Sequence, residues 1–143
     1  MDREFVDTNI FLYAHDTNAG PRHTRSRELL AELVSENTGC ISTQVLVEFY
    51  SASTAKLGVP SQRVEDIITD LGSWTIHSPS HADVIAATQL HRRLKTSWWD
   101  ALILQSALEL GCTRLWTEDF SHGQRIGPLT ILNPFRASRP RLQ

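Results

Sequence analysis

Four carboxylates stand out for where they fall in the chain: Asp7, Glu48, Asp100 and Asp119. Asp7 directly follows the short extended-favouring run Glu4-Phe5-Val6 and opens the turn Asp7-Thr8-Asn9, ahead of an apolar helical run from Ile10. Asp119 stands in the same relation to Arg114-Leu115-Trp116, within Thr117-Glu118-Asp119. Glu48 falls beside the apolar stripe Val45, Phe49 and Ala52 of a predicted helix. Asp100 sits at the third helical position after Ser97. Each has an ordinary role open to it. Asp7 can cap the next helix, Glu48 can reach water from its helix edge, and Asp100 fits a capping box and complements the helix dipole. Taken one at a time, the residues leave these roles and a functional one both open.

Their convergence is more informative than any single position. All four are expected at one end of a sheet or on helices lining it. Ionised carboxylates within a few Å raise one another's pKa, so such a cluster is tenable near neutral pH mainly with bound cations. Oxygen-only ligation selects Mg²⁺ or Mn²⁺ over zinc. A hard dication in an open carboxylate site fits phosphodiester hydrolysis, in which it activates a water and neutralises charge on the phosphoryl oxygens. No Ser-His-Asp or Cys-His arrangement, phosphate-binding Gly loop or zinc spacing competes with that chemistry.

The elements that must position these acids alternate. Strands are predicted at Glu4-Phe5-Val6, Cys40-Ile41, Trp74-Thr75-Ile76, Arg114-Leu115-Trp116 and Leu129-Thr130-Ile131. Between them lie a short helix from Ile10 to His15, one opened by Gly20-Pro21, and others over Ser42 to Ala55, Ser61 to Leu71, Ser80 to Leu94 and Ser97 to Leu110. The alternation predicts an α/β fold: a parallel sheet of about five strands with helices on both faces, a three-layer sandwich. With strand order 3-2-1-4-5, the first and fourth strands are neighbours where the order reverses, and Asp7 and Asp119 stand side by side in the crevice beyond them. Arg22, His23, Arg25 and Arg27 on the second helix read either as a solvated face or as a phosphate-binding patch.

At 143 residues the chain fits one domain, residues 1–135, followed by a basic tail, 136–143. No apolar run approaches the ~20 residues of a membrane span, and Met1-Asp2-Arg3-Glu4 does not begin a secretory signal, which points to the cytoplasm. Cys40 and Cys112 are too few for a disulfide framework and lack metal-type spacing, so reduced buried thiols are expected. The net charge of −2 exerts no global pull on nucleic acid; such a partner must be held by a local basic patch or by metal ions.

Several stretches together resemble the PIN-domain ribonucleases, most closely the VapC toxins of VapBC toxin–antitoxin modules. They are Phe5-Val6-Asp7-Thr8-Asn9, Ser42-Thr43-Gln44-Val45-Leu46-Val47-Glu48-Phe49, Trp98-Trp99-Asp100-Ala101-Leu102-Ile103 and Trp116-Thr117-Glu118-Asp119-Phe120. The loop Ser121-His122-Gly123-Gln124 and the ending Ile131-Leu132-Asn133-Pro134-Phe135 match the toxin branch. The resemblance implies a PIN-like sandwich and a Mg²⁺- or Mn²⁺-dependent endoribonuclease with Asp7, Glu48, Asp100 and Asp119 as its acidic quartet. It further implies Asn9 and Thr117 as supporting polar residues, Glu118 as an extra ligand, a homodimer, a small VapB-like antitoxin partner, and tRNA or rRNA as substrate. Trp98 and Trp99 at the rim are candidates to stack on RNA bases, although large aromatics at a helix start are more often core, and His122 and Arg125 are candidates to orient a phosphate. Two other readings stay open: a Mg²⁺-binding doubly wound interaction or phosphoacceptor module, and a PIN nuclease of RNA processing without an antitoxin.

Overall fold

The computed structural model describes residues 2–136. Of the basic tail expected over 136–143, only Arg136 is among them. The elements run β1 (Glu4–Val6), α1 (Thr8–Ala14), α2 (Pro21–Glu36), β2 (Gly39–Ser42), α3 (Thr43–Ala55), α4 (Ser61–Asp70), β3 (Thr75–His77), α5 (His81–Leu94), α6 (Trp98–Glu109), β4 (Arg114–Trp116), β5 (Arg125–Ile126) and β6 (Leu129–Leu132), with short 3-10 turns at Thr17–Ala19 and Leu71–Ser73.

The sheet order is β3-β2-β1-β4-β6-β5. Its first five strands are parallel and carry the expected 3-2-1-4-5 arrangement, with β6 in fifth place. The difference is β5, a two-residue strand that pairs antiparallel with β6 across the Gly127-Pro128 turn and closes the sheet's edge. The third strand starts one residue later than expected, at Thr75, because the Trp74 N–H closes the preceding 3-10 turn on the Leu71 carbonyl at 3.0 Å.

Covering both faces of the sheet leaves the central strand β1 buried at every position, as a parallel sheet between helical layers requires. Phe5, Ile41, Leu115 and Ile131 from four strands meet Ile10, Leu29, Phe49 and Leu104 from the helices in one core. Glu4, buried in β1, accepts hydrogen bonds from the Trp116 indole at 2.9 Å and the Thr38 hydroxyl at 3.2 Å, and Arg114 lies 3.4 Å away. That carboxylate belongs to the core's polar bookkeeping and not to the crevice. Gly39 on β2 makes room for Trp74: a Cβ there would lie 2.5 Å from the indole Cζ3. Among the described residues no helix is long and apolar enough to cross a membrane.

Candidate active site

The register of β1 and β4 brings the first pair of site residues together. Val6 aligns with Trp116, and the Asp7 N–H donates to the Trp116 carbonyl at 3.0 Å, so Asp7 and Thr117 leave their strands as neighbours. Asp7 caps α1, its Oδ1 accepting the Thr8 N–H at 2.7 Å, while its Oδ2 accepts the Thr117 hydroxyl at 2.8 Å. The Thr117 oxygen in turn accepts the Asp119 N–H at 3.0 Å. One fully buried hydroxyl therefore ties the first acid to the backbone of the last.

Asp100 arrives from the start of α6, where the Ser97 hydroxyl accepts its N–H at 3.1 Å. Carboxylate oxygens of Asp7, Asp100 and Asp119 lie within 4.8 Å of one another. Glu48 lines the same cavity of about 280 Å³ but stands outside that group of three, its Oε1 accepting from the Thr8 hydroxyl at 2.6 Å and its Oε2 from the Gln44 amide at 3.0 Å. The Gln44 amide also donates to the Trp99 carbonyl at 3.2 Å, which joins α3 to α6 across the cavity wall.

Crowding and burial act on these acids as electrostatics demands. Asp7 is only 5% exposed, and burial first, then the charge of Asp119, push its pKa up to about 7 against the hydrogen bonds from Thr117 and Thr8. Asp100 is raised as well, by its partial burial and by Asp119, with the Ser97 hydroxyl opposing. Three oxygen donors from three separate elements, at a spacing that strains them when all are ionised, fit a hard divalent cation. Asp7, Asp100 and Asp119 are the residues that would hold it.

A PIN-domain family model matches residues 5–124, most of the chain and all four acids. The chain belongs to the PIN-domain family. Among curated proteins no sequence relative matches it. Solved structures do. Mycobacterium tuberculosis VapC20, described as a sarcin-ricin loop cleaving toxin, superposes with a TM-score of 0.69 at 18% identity, over 81% of this chain and 89% of that one. A toxin–antitoxin complex from Klebsiella pneumoniae gives 0.67 at 21%, over 92% and 98%. VapBC2 of Rickettsia felis, bound to a promoter DNA fragment, gives 0.63 at 23%, over 90% and 96%. The PIN fold is common to them all.

Of the other residues singled out in the sequence, Asn9 and Trp99 line the acidic cavity of this PIN domain, and Thr117 bonds directly to Asp7. Trp98 packs against His91 instead, the His122 Nδ1 accepts the Asn133 N–H at 2.9 Å, and Arg125 lies in the edge strand β5; none of the three lines the cavity. Both Glu118 oxygens are taken, by Tyr13 and Arg22. Sequence reasoning missed Thr8, Gln44 and Lys56, which complete the cavity wall. Gln44 was findable, since a Gln four residues ahead of an acid on a helix is placed to donate to it.

Proposed function

We propose that this PIN domain is a Mg²⁺- or Mn²⁺-dependent endoribonuclease, the toxin of a type II toxin–antitoxin pair acting in the cytoplasm on tRNA or rRNA, with Asp7, Glu48, Asp100 and Asp119 as its acidic quartet. The observation that carries the reading is the meeting of three carboxylates, from the ends of β1 and β4 and the start of α6, within 4.8 Å. Bound there, the cation would activate water and neutralise charge on a phosphoryl oxygen. The chain's own residues do the rest. Thr117 and the Thr8 N–H fix the Asp7 carboxylate, Thr8 and Gln44 fix Glu48 on the wall, and Lys56 sets a cation at the rim where a phosphate must approach. Trp99, 61% exposed and beside the acids, offers a face on which an unpaired base can stack.

The likeness to VapC20 and to toxin–antitoxin complexes supports a toxin role with a small VapB-like antitoxin as partner; a homodimer is proposed as the working form. Purified protein incubated with total RNA, with and without EDTA and beside Asp7→Asn, tests the reading. Cleavage that stops with EDTA and falls at least about a hundredfold in Asp7→Asn is expected, since loss of a cation contact removes several kcal/mol of transition-state stabilisation. Cutting that persists in EDTA, or a fully active Asp7→Asn, would refute it.

A further inference from the structure

The residue between Thr117 and Asp119 is bonded on the far side of the turn from the acids. Its Oε1 accepts the Tyr13 hydroxyl at 2.7 Å, and its Oε2 accepts the Arg22 Nε–H at 2.8 Å and pairs with the Arg22 Nη2 at 2.7 Å. The Arg22 guanidinium in turn lies over two aromatic rings, 5.0 Å from the centroid of Phe135 and 5.7 Å from that of Tyr13, and those rings meet edge to face at 5.4 Å. Tyr13 of α1 and Arg22 of α2 thus both reach Glu118, with Phe135 packed against the two of them.

We propose that Glu118 is a positioning residue: clamped by Tyr13 and Arg22, it holds the turn that aims Asp119 at the metal site. The inference rests on the metal-binding reading given above. Three consecutive side chains of the turn alternate in destination, Thr117 to Asp7, Glu118 to the clamp and Asp119 to the acidic group. Asp119 is itself exposed, so its own packing cannot hold it, and its neighbours anchor the turn instead: Thr117 on the inside, Glu118 on the outside, and Phe120 packed against the core. The same clamp explains how a fifth acid can adjoin the cluster without joining it. To reach the cation, Glu118 would have to give up two hydrogen bonds and an ion pair. The pair meets solvent on its Arg22 side, where screening limits what it contributes to global stability. The effect of breaking the clamp therefore falls on site geometry and leaves the fold in place.

The experiment is Mn²⁺ titration by calorimetry into metal-free protein, for wild type, Glu118→Ala, Glu118→Gln and Arg22→Ala, with melting in EDTA as the control. Partners of metal ligands typically change affinity by 10–100-fold when removed. Glu118→Ala is expected to bind Mn²⁺ about tenfold more weakly or worse, and Arg22→Ala to shift in the same direction. Glu118→Gln, whose amide oxygen can still accept from Arg22 while its NH2 donates to the Tyr13 oxygen, should stay closer to wild type than Glu118→Ala, and all four should melt within a few degrees of one another in EDTA. Glu118→Ala with wild-type affinity overturns the positioning role while leaving the metal site standing. Glu118→Gln as weak as Glu118→Ala, together with tighter binding by Arg22→Ala, overturns it in favour of direct ligation. A wild type that takes up no Mn²⁺ overturns the metal-binding reading itself, and this inference with it.

Discussion

Asp7 makes the metal-free fold sensitive to pH in an unusual direction. Its pKa rises from 3.8 to about 7 on folding, because the carboxylate loses water on burial and faces Asp119. Between those two values the folded protein keeps the Asp7 proton while the unfolded chain has released it, so stability falls as pH rises through the window. A shift of about three units corresponds to about 4 kcal/mol at 1.36 kcal/mol per unit, of which about 3 kcal/mol falls between about pH 5 and pH 8. For a domain near this size, 1 kcal/mol moves the melting temperature by roughly 3–4 °C, so wild type should lose roughly 10 °C across that range in EDTA. Other groups titrate over the same interval, and Asp7→Asn is the reference that subtracts them, since its amide cannot ionise. Differential scanning calorimetry of both proteins in EDTA reads the difference directly. The mutant should melt above wild type near pH 8, and the gap should close near pH 5. With saturating Mn²⁺ the wild-type dependence should reverse, because protons then compete with the cation for the same oxygens. Melting temperatures that run parallel across the range in EDTA would refute the argument that buried charge at Asp7 is what strains the site.

Asp100→Asn should be at least as stable as wild type in EDTA, because Ser97 still caps α6 and one repulsive charge is gone. It should forfeit most of the roughly 2.7 kcal/mol that a cation at a hundred times its Kd confers; equal destabilisation with and without Mn²⁺ would reduce Asp100 to a cap. Thr117→Val keeps the shape but removes the hydroxyl between Asp7 and the Asp119 N–H, and should cost about 1–3 kcal/mol of stability and weaken Mn²⁺ binding, both read in the same titrations and melts. Trp99→Ala should raise KM for RNA by roughly 5–150-fold, one stacked base, with no loss of melting temperature, whereas Trp98→Ala should lower melting temperature and spare KM. The opposite pattern would move the stacking platform to Trp98.

The parallel part of the sheet and the meeting of three acids were legible because both follow from periodicity. Runs such as Phe5-Val6 and Leu115-Trp116 mark buried strands, and in a doubly wound sheet the residue after a strand at the reversal point has one place to be. The hairpin strand β5 was not legible, since two residues carry no period and Arg125 reads as loop until β6 is there to pair with it. Side-chain destinations were harder still. Whether Arg22 faces solvent or a carboxylate depends on how α2 returns across the sheet, a tertiary fact absent from the string of basic residues around it. The family resemblance offered Glu118 as an extra ligand, and only the positions of Tyr13 and Arg22 reveal where its oxygens are spent.

The choice the sequence posed for Asp7 and Asp100, helix cap or site residue, turns out to be no choice. Asp7 caps α1 through the Thr8 N–H and Asp100 occupies the first turn of α6, so two of the three clustered acids sit against the positive ends of helices. A helix N-terminus presents roughly half a positive charge and unpaired N–H groups, which partly offsets carboxylate repulsion when no cation is present. Asp119 has no such helix; it is exposed, and its charge comes after burial as a cause of the raised pKa of both others. The strain in the cluster is therefore felt most at the buried Asp7, while the aim of the exposed acid is set by its neighbours in the turn. A site built this way can fold without metal, at a stability that depends on pH, and still present three oxygens to a cation.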